Sequence, residues 1–427
     1  MDTKTSEPNL QLDYDVVVVG AGFAGIYALW KAKKMGYKVK GFERASDVGG
    51  TWFWNSYPGA RCDVESYNYA YFFDESIVRD WEWSDACAGQ EEIQRYLRFV
   101  ADRCAVLEDI SFNTKIESVQ YVEASGLWHL SYSIDKSLTC RYPILAIGAL
   151  SEPKKPDIEG VADFMGDTYF TSNWPRDNLV DFNGKRVGVI GTGSSGVQAI
   201  PEIAKAASEL YVFQRTANYV TPTRSGPMET ELVLSIKKDP KAVRRAARES
   251  FGGHTPLAMG EERYLELDEE GRERALQKAW DGKYVPLAFR DAYLPEANDA
   301  ISDFIRKKML EQVDDPWTAK HLVPWDHPYG GKRPCMSNVY LQTYNFPHVH
   351  LIPLSESSIE KIDERGIKVS NQYIPLDVIV FATGFDAISG PLFAIDIKGL
   401  DGQSINEAWK DGPANYLGTM VNGFPNL

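Results

Sequence analysis

The sequence predicts an α/β protein with two Rossmann-like dinucleotide-binding domains and a helical insertion. A buried strand, a glycine-rich turn, a helix and a second strand follow one another at residues 15–43 and again at residues 185–215. The insertion is predicted because residues 226–332 carry charged helical patterns without strand alternation. The expected boundaries are 1–150 with 386–427 for the first domain, 151–225 with 333–385 for the second, and 226–332 for the insertion.

Composition and charge exclude several classes of protein. The chain has 427 residues, of which 44% are hydrophobic, enough to fill two or three cores. Its net charge of −14, without a basic cluster, disfavours nucleic acid or a membrane surface as a partner. The N-terminus lacks a signal pattern, no apolar run could span a bilayer, and the five cysteines are scattered without a CxxC pair. We therefore expect a soluble cytoplasmic protein, and the spacing of the histidines predicts no metal site.

The first glycine motif predicts a nucleotide site. Gly20 permits a tight turn, Gly22 lets the backbone approach a pyrophosphate, and Gly25 lets the helix pack against the strand. The phosphates would meet the free amides at the start of the helix. Glu43, 23 residues after Gly20, can accept hydrogen bonds from an adenosine ribose, so this site suits FAD or NAD.

The second motif differs at the end of its second strand. Counting the same 23 residues from Gly191 reaches Gln214, and Arg215 follows it, so a cation replaces the ribose-binding acid. A guanidinium can hold a 2′-phosphate that a carboxylate would repel, so this site suits NADPH. The candidate contacts are Gly191, Gly193, Ser194, Gly196, Arg215 and Thr216.

Two such sites in one chain indicate a flavoprotein in which NADPH reduces a bound FAD. A disulfide reductase would need a redox-active cysteine pair, which this sequence lacks. The electrons are therefore expected to pass to O₂.

One segment resembles the signature of a known family. "FMGDTYFTSNWP", residues 164–175, is similar to F-x-G-x-x-x-H-x-x-x-W-P of the Baeyer–Villiger monooxygenases, flavoenzymes that insert one atom of O₂ beside a ketone carbonyl. Phe170 stands where the family has its histidine. That histidine lies near the hinge between the nucleotide domains, so the departure bears on how NADPH docking is coupled to flavin chemistry. The matching residues are Phe164, Gly166, Trp174 and Pro175.

Further segments extend the resemblance over almost the whole chain. "GGTWFWNSYPGARCD" (49–63) is similar to the family's loop near the flavin, "FATGFD" (381–386) to its ATG segment, and "KRP" (332–334) to the segment with its active-site arginine. By this resemblance, Lys332 contacts the NADPH phosphate. The other cofactor contacts that it implies are Gly50, Thr51, Trp52, Asp63, Thr383 and Gly384.

The resemblance also implies the catalytic residues. Arg333 resembles the arginine that stabilises an anionic peroxyflavin and the oxyanion formed on ketone attack, and Asp63 resembles the aspartate that holds this arginine. The implied function is an FAD- and NADPH-dependent monooxygenase that converts ketones and O₂ to esters or lactones.

Two alternatives remain open at this stage. One is a flavin monooxygenase that hydroxylates nitrogen or sulfur. The other is a truncated nucleotide-binding relative, since the chain ends at "YLGTMVNGFPNL", which resembles the start of the family's last conserved segment, and an incomplete flavin pocket is expected unless the sequence is a fragment. The charge runs of the insertion, such as "AVRRAARES", are expected to be solvated helix faces.

Overall fold

The computed structural model describes residues 11–176, 180–250, 253, 262–283, 285, 288–370 and 372–427. Part of the predicted insertion, including residues 254–261, lies outside this range. The chain divides into two compact units. The first unit comprises the residues up to Asn55, Ile93–Lys154 and Phe385–Leu427, and the second comprises Ser56–Glu92 and Lys155–Gly384.

The strands are numbered in chain order. Within the described residues they are β1 Tyr14–Val19, β2 Val39–Phe42, β3 Ile110–Ser111, β4 Ser118–Val122, β5 Leu127–Ser133, β6 Lys136–Leu145, β7 Asp167–Phe170, β8 Arg186–Ile190, β9 Glu209–Gln214, β10 Val220–Thr221, β11 Cys335–Met336, β12 Val349–Pro353, β13 Ile359–Asp363, β14 Gly366–Val369, β15 Gln372–Pro375, β16 Val378–Phe381 and β17 Asp396–Lys398.

The helices are numbered in the same way. The α-helices of the described residues are α1 Phe23–Lys34, α2 Thr51–Trp54, α3 Glu75–Asp80, α4 Gln90–Arg103, α5 Ser194–Ala204, α6 Thr230–Lys238, α7 Pro240–Glu249, α8 Glu269–Asp281, α9 Pro295–Leu310, α10 Pro316–Leu322, α11 Tyr340–Thr343, α12 Gly390–Phe393 and α13 Ile405–Ala408. Among them, none has the length and apolar content that a bilayer crossing requires.

The first unit is built on a mixed sheet in the order β17-β4-β5-β6-β1-β2-β3. β1 lies parallel to β2 and β6, whereas β4, β5 and β6 form antiparallel pairs. Val16–Val19 of β1 are buried, as a central parallel strand covered on both faces requires. α1 connects β1 to β2, so the predicted strand, turn, helix and strand are confirmed.

The second unit is built on a parallel sheet in the order β12-β9-β8-β16-β7. α5 connects β8 to β9, which confirms the second predicted motif. The carboxyl ends of parallel strands share one edge of the sheet, and ligands bind at this edge in such folds. The turns after β7, β8, β9 and β16 therefore all lie at one edge.

The helical insertion contains α6 to α10, between β10 and β11. Aspartate side chains accept hydrogen bonds from the first-turn amides of three of these helices: Asp239 of α7, Asp268 of α8 and Asp315 of α10. Ile301 and Ile305 of α9 are fully buried and share one apolar core with β8 and α5. The predicted insertion is thus confirmed, and it packs on the nucleotide-binding layer of its own unit.

Residues 56–92 belong to the second unit, although the sequence boundary placed them in the first domain. Tyr57 and Ala60 lie in the same apolar core as α5. Gly59 approaches this helix so closely that a Cβ atom would lie 2.3 Å from the carbonyl oxygen of Gln198. This packing was not visible in the sequence because it joins segments that are distant along the chain.

Candidate functional site

The glycine turn of the first unit depends on two close backbone contacts. Gly20 has a φ of +101°, and a Cβ atom there would lie 2.4 Å from the carbonyl oxygen of Ala146. A Cβ atom at Gly25 would lie 1.9 Å from the carbonyl oxygen of Gly20. Only glycine fits at either position, so the turn and the start of α1 are held in one arrangement.

The start of α1 is arranged to receive an anion. Gly22 has an extended backbone, with φ −82° and ψ −163°, and no side chain of the described residues caps the helix or adds an acid to its first turn. A methyl group at Gly22 would lie 3.5 Å from the Cα atom of Gly50, so it would occupy the concave surface without disturbing the backbone. The residues present therefore fit a pyrophosphate held by backbone amides.

Glu43 lies directly after β2, where the sequence predicts the ribose-binding acid. One carboxylate oxygen accepts a hydrogen bond from the amide of Ala21 at 2.7 Å, and the other accepts one from the amide of Ala45 at 2.8 Å. These bonds fix the side chain, which is 4% exposed, beside the glycine turn. Each oxygen keeps a second lone pair that can accept a ribose hydroxyl.

The loop after Gly49 supplies the remaining predicted contacts of the first unit. Gly50, with a φ of +54°, packs against the Cα atom of Gly22. Thr51 begins α2 and is exposed, whereas Trp52 is buried with 8% of its surface exposed. Thr51 is therefore accessible, whereas most of the Trp52 surface packs against the protein, and their contacts with a cofactor stay predictions.

The glycine turn of the second unit repeats the first. Gly191 has a φ of +113°, and a Cβ atom at Gly196 would lie 2.2 Å from its carbonyl oxygen. Gly193 is extended, with φ −79° and ψ −169°, and faces open space. Ser194 begins α5, which has no side-chain cap and no first-turn acid among the described residues. This second turn therefore also fits a pyrophosphate.

The ATG segment packs against this second turn. A Cβ atom at Gly191 would lie 2.5 Å from the carbonyl oxygen of Ala382, which follows β16. Thr383 and Gly384 come next, and Gly384 has a φ of +79° in open space. The predicted contacts after β16 thus lie at the same edge of the sheet as the glycine turn.

Gln214 and Arg215, which stand where the first unit has its ribose-binding acid, have different environments at the end of β9. Gln214 is buried and donates through Nε2 to the carbonyl oxygen of His321 at 2.7 Å. Arg215 is exposed and makes neither a hydrogen bond nor an ion pair within the described residues. Thr192 donates to the carbonyl oxygen of Thr216 at 3.1 Å, which joins this turn to the glycine turn. Arg215 is therefore available to a phosphate.

The segment with Lys332 and Arg333 is held beside the same turn. Asn218 donates to the carbonyl oxygen of Arg333 at 2.8 Å, and β10 pairs with β11 directly after it. Cys335 lies 3.8 Å from the hydroxyl of Ser194, at the start of α5. The Lys332 amine is exposed and lies 3.7 Å from a carboxylate oxygen of Asp326, which neutralises part of its charge.

Asp63 and Arg333, 270 residues apart, form a bidentate ion pair. Nη2 of Arg333 lies 2.7 and 2.8 Å from the two carboxylate oxygens, and Nε lies 3.3 Å from one of them. The hydrogen bonds to Asp63 raise the pKa of Arg333, so the guanidinium remains charged. Its side chain is 72% exposed, and Nη1 makes no bond within the described residues, so this group can donate to a ligand.

Sequence reasoning missed two residues that hold the loop of Asp63. The Tyr57 hydroxyl donates to Oε1 of Gln198 at 2.8 Å, and Nε2 of Gln198 donates to the carbonyl oxygen of Arg61 at 3.0 Å. Burial raises the pKa of Tyr57 to about 12, so the phenol remains a donor. The side chain of Gln198 on α5 thereby ties the second glycine turn to the loop before Asp63. The only sequence signal was a polar residue two positions after the glycine motif.

Phe170, at the signature position, ends β7. Its ring stacks on Phe381 with centroids 5.0 Å apart and an interplanar angle of 17°. Both rings belong to an apolar cluster under the sheet edge. The position is therefore filled by apolar packing and offers no hydrogen bond from its side chain.

The sequence of this chain is similar to those of several known proteins. The family model described as pyridine nucleotide-disulphide oxidoreductase matches residues 14–230. The chain is 41% identical, over 100% of its length and 79% of the relative, to 2-oxo-Δ³-4,5,5-trimethylcyclopentenylacetyl-CoA monooxygenase of Pseudomonas putida. It is 38% identical to a Baeyer–Villiger monooxygenase of Pseudooceanicola batsensis, over 97% of this chain and 76% of that one.

Two further similarities bear on cofactors and chemistry. The crystal structure of OTEMO in complex with FAD and NADP superposes with a TM-score of 0.93 and 41% identity, covering 97% of this chain and 80% of that one. A phenazine N-monooxygenase of Lysobacter antibioticus is 39% identical over 98% of this chain and 78% of its own length.

The two extended glycines allow the two nucleotide sites to be tested separately. Gly22→Ala and Gly193→Ala keep an allowed backbone and meet no backbone clash, so both proteins should fold with an unchanged Tm in the absence of nucleotides. The added methyl group would block a pyrophosphate. We expect Gly22→Ala to lose bound flavin absorbance and Gly193→Ala to keep it but bind NADPH at least about tenfold more weakly, or ~1.4 kcal/mol. Retained affinity in both variants would contradict the assignment.

Proposed function

Because the chain belongs to the Baeyer–Villiger monooxygenase family, we propose that it uses FAD, NADPH and O₂ to insert one oxygen atom beside the carbonyl of a ketone. The product is an ester, or a lactone when the ketone is cyclic. The observation that supports this most directly is the bidentate ion pair of Asp63 and Arg333. It presents a fixed cation beside the glycine turn of the second unit, which we assign to NADPH.

The residues of each unit would hold one dinucleotide. In the first unit, the amides after Gly22 would receive the pyrophosphate of FAD and Glu43 its ribose. In the second unit, the amides after Gly193 would receive the pyrophosphate of NADPH. When bound, NADPH supplies the hydride that reduces the flavin, and the reduced flavin supplies oxygen from O₂ in a reactive form.

Arg333 would stabilise the negative charge that develops on the ketone oxygen. Its Nε and Nη2 groups are committed to Asp63, so the guanidinium cannot rotate freely, and Nη1 remains available as a donor. A donor fixed before the reaction costs no reorganisation when the charge appears. Asp63 is a positioning residue in this account, and Gln198 and Tyr57 support its loop.

A second candidate function is oxygenation of nitrogen, favoured by the similarity to a phenazine N-monooxygenase. Oxygen transfer to an amine forms no oxyanion on the substrate, so a fixed guanidinium would stabilise its transition state less. The ion pair of Asp63 and Arg333 therefore favours a ketone. The substrate named for the Pseudomonas relative is a cyclopentenone derivative carried on coenzyme A, and we infer a ketone as the substrate class here.

We also infer a cytoplasmic location without nucleic-acid or membrane partners. The five cysteines are all free thiols, which fits a reducing compartment. The net charge of −14 repels anionic polymers and anionic lipid surfaces.

Removing Arg215 should change cofactor preference. The guanidinium has no partner within the described chain, so its charge is free to pair with a 2′-phosphate. We expect Arg215→Ala to weaken NADPH by about 1–3 kcal/mol, roughly 5- to 150-fold, and to leave NADH nearly unchanged. Titration of both cofactors against both proteins measures this, and equal affinity of the unmodified protein for NADPH and NADH would contradict it.

Removing Arg333 should separate NADPH oxidation from ester formation. We expect Arg333→Ala to keep its flavin and remain reducible, while the rate of ester formation falls about 10²–10³-fold and hydrogen peroxide appears instead. Asp63→Ala should cause a smaller loss of the same kind.

The matched control is Arg186→Ala. Arg186 makes a similar bidentate pair with Asp377, at 2.7 and 3.1 Å, but at the opposite end of β8. This variant should retain the ratio of ester to NADPH. Full ester yield from Arg333→Ala would remove that residue from the mechanism.

The phenylalanine at the signature position gives a further test. Phe170→His would introduce hydrogen-bonding nitrogens and lose part of the stacking on Phe381, at a cost of about 1 kcal/mol in the free energy of unfolding. We expect more ester and less hydrogen peroxide per NADPH consumed than in the unmodified protein. An unchanged ratio would show that Phe170 does not limit coupling.

A further inference from the structure

A cavity of about 680 Å³ lies in the second unit, and none of the nucleotide-site residues line it. Its walls are the segment Phe72–Ser76, Arg79 of α3, and one face of α7. Its volume lies within the range of small-molecule sites.

The face of α7 that lines this cavity is basic. Lys241, Arg244, Arg245 and Arg248 are spaced i, i+3, i+4 and i+7, so they lie along one side of the helix. The sequence predicted a solvated helix face here, and Lys241, Arg245 and Arg248 are exposed, in agreement with that prediction. The expectation that the chain has no basic cluster was wrong, because the fold combines this face with Arg79 from a segment more than 160 residues earlier in the sequence.

Three of these cations have partners. Lys241 lies 2.6 Å from a carboxylate oxygen of Glu75, and Arg79 pairs with the same carboxylate. Lys241 lowers the pKa of Glu75, so this carboxylate stays ionised. Arg244 donates to the carbonyl oxygen of Phe72 at 3.2 Å.

Arg245 and Arg248 have no such partners. Both are exposed, and within the described residues neither makes an ion pair or a hydrogen bond. The cavity wall contains five cations and only two carboxylates, those of Asp74 and Glu75, in a chain whose net charge is −14. Like charges held on one helix face repel one another, and a bound anion would relieve this repulsion.

The side chains around the cavity indicate the kind of anion. Guanidinium groups match the geometry of phosphate oxygens and bind them through paired hydrogen bonds. Phe72 and Phe73 add flat apolar surfaces against which an aromatic base can pack. Phosphate groups next to a planar ring are the chemistry of a nucleotide.

We propose that this cavity is a third nucleotide site, at which Arg245 and Arg248 bind the phosphate groups of a phosphorylated nucleoside. Two kinds of ligand have this chemistry. One is the nucleotide end of a coenzyme A thioester that carries the ketone, which rests on the proposed function. The other is a free nucleotide that is not a substrate.

Binding can be tested without turnover. Coenzyme A, dephospho-coenzyme A and pyrophosphate are titrated by calorimetry into the FAD-loaded full chain with NADP⁺ saturating, so that the glycine site of the second unit is already occupied. We expect coenzyme A to bind, dephospho-coenzyme A and pyrophosphate to bind more weakly, and all three to weaken as salt rises, because the attraction is electrostatic.

The deciding experiment uses a double variant that carries both Arg245→Ser and Arg248→Ser. Both positions are exposed, so the fold should survive, which the helical circular dichroism and Tm check. We expect affinity for coenzyme A to fall about tenfold or more. The control is Arg274→Ser on α8, where an exposed arginine pairs with Glu270 and does not line the cavity; this variant should bind as the unmodified protein does.

Kinetics then distinguish the two sources. If the thioester is the ligand, levulinoyl-CoA should show a lower KM than free levulinate, and the double variant should raise only the KM of the thioester. If a free nucleotide is the ligand, the unmodified protein should still bind coenzyme A, but the KM values of levulinate and levulinoyl-CoA should be the same in the double variant as in the unmodified protein. Absence of binding by the unmodified protein, or equal binding by the double variant, would overturn the proposal. Failure of ketone oxidation alone would leave the binding result standing and would count against the proposed function instead.

Discussion

The two nucleotide-binding units depend on one steric constraint, the direct contact of a helix backbone with the turn before it. At Gly25 and Gly196, a single additional carbon would lie 1.9 and 2.2 Å from the carbonyl oxygen of the first glycine of its motif. No residue with a Cβ atom can occupy these positions without moving the helix. Because each helix begins directly against its turn, its free amides face the same point, and a phosphate can be held there without any charged side chain. This explains how a strongly acidic chain can contain two sites for anions.

The two units differ in what surrounds these similar turns. In the first, Glu43 is fixed by two backbone amides and can only accept hydrogen bonds from a neutral sugar or repel a charge. In the second, a glutamine is buried at the corresponding place and Arg215 lies exposed after it. The second unit also contains the Asp63–Arg333 pair, whose loop is tied through Gln198 to the helix of the glycine turn. In our account, binding of NADPH and placement of the catalytic cation therefore depend on the same helix.

Local patterns in the sequence predicted the fold well, because strand burial, glycine spacing and helix periodicity are properties of short segments. Glu43 and Arg215 were also predicted this way, since each follows its glycine motif at a fixed distance along the chain. Contacts over long separations were not accessible by this reasoning. The pairing of Asp63 with Arg333 came only from resemblance to a family, and the roles of Tyr57 and Gln198 came from neither source. The basic cavity was missed because the periodicity of α7 shows that its cations share a face but not what that face meets.

The central claim is that this chain transfers one atom of O₂ to a ketone. The most direct measurement gives the purified holoenzyme NADPH, oxygen-18 gas, a cyclic ketone and a tertiary amine in one vessel, and analyses the products by mass spectrometry. The account predicts a lactone in which one labelled atom occupies the ring oxygen, with little amine oxide, because a fixed guanidinium stabilises charge on a carbonyl oxygen and not on an amine. Labelled amine oxide with the ketone recovered intact would contradict it.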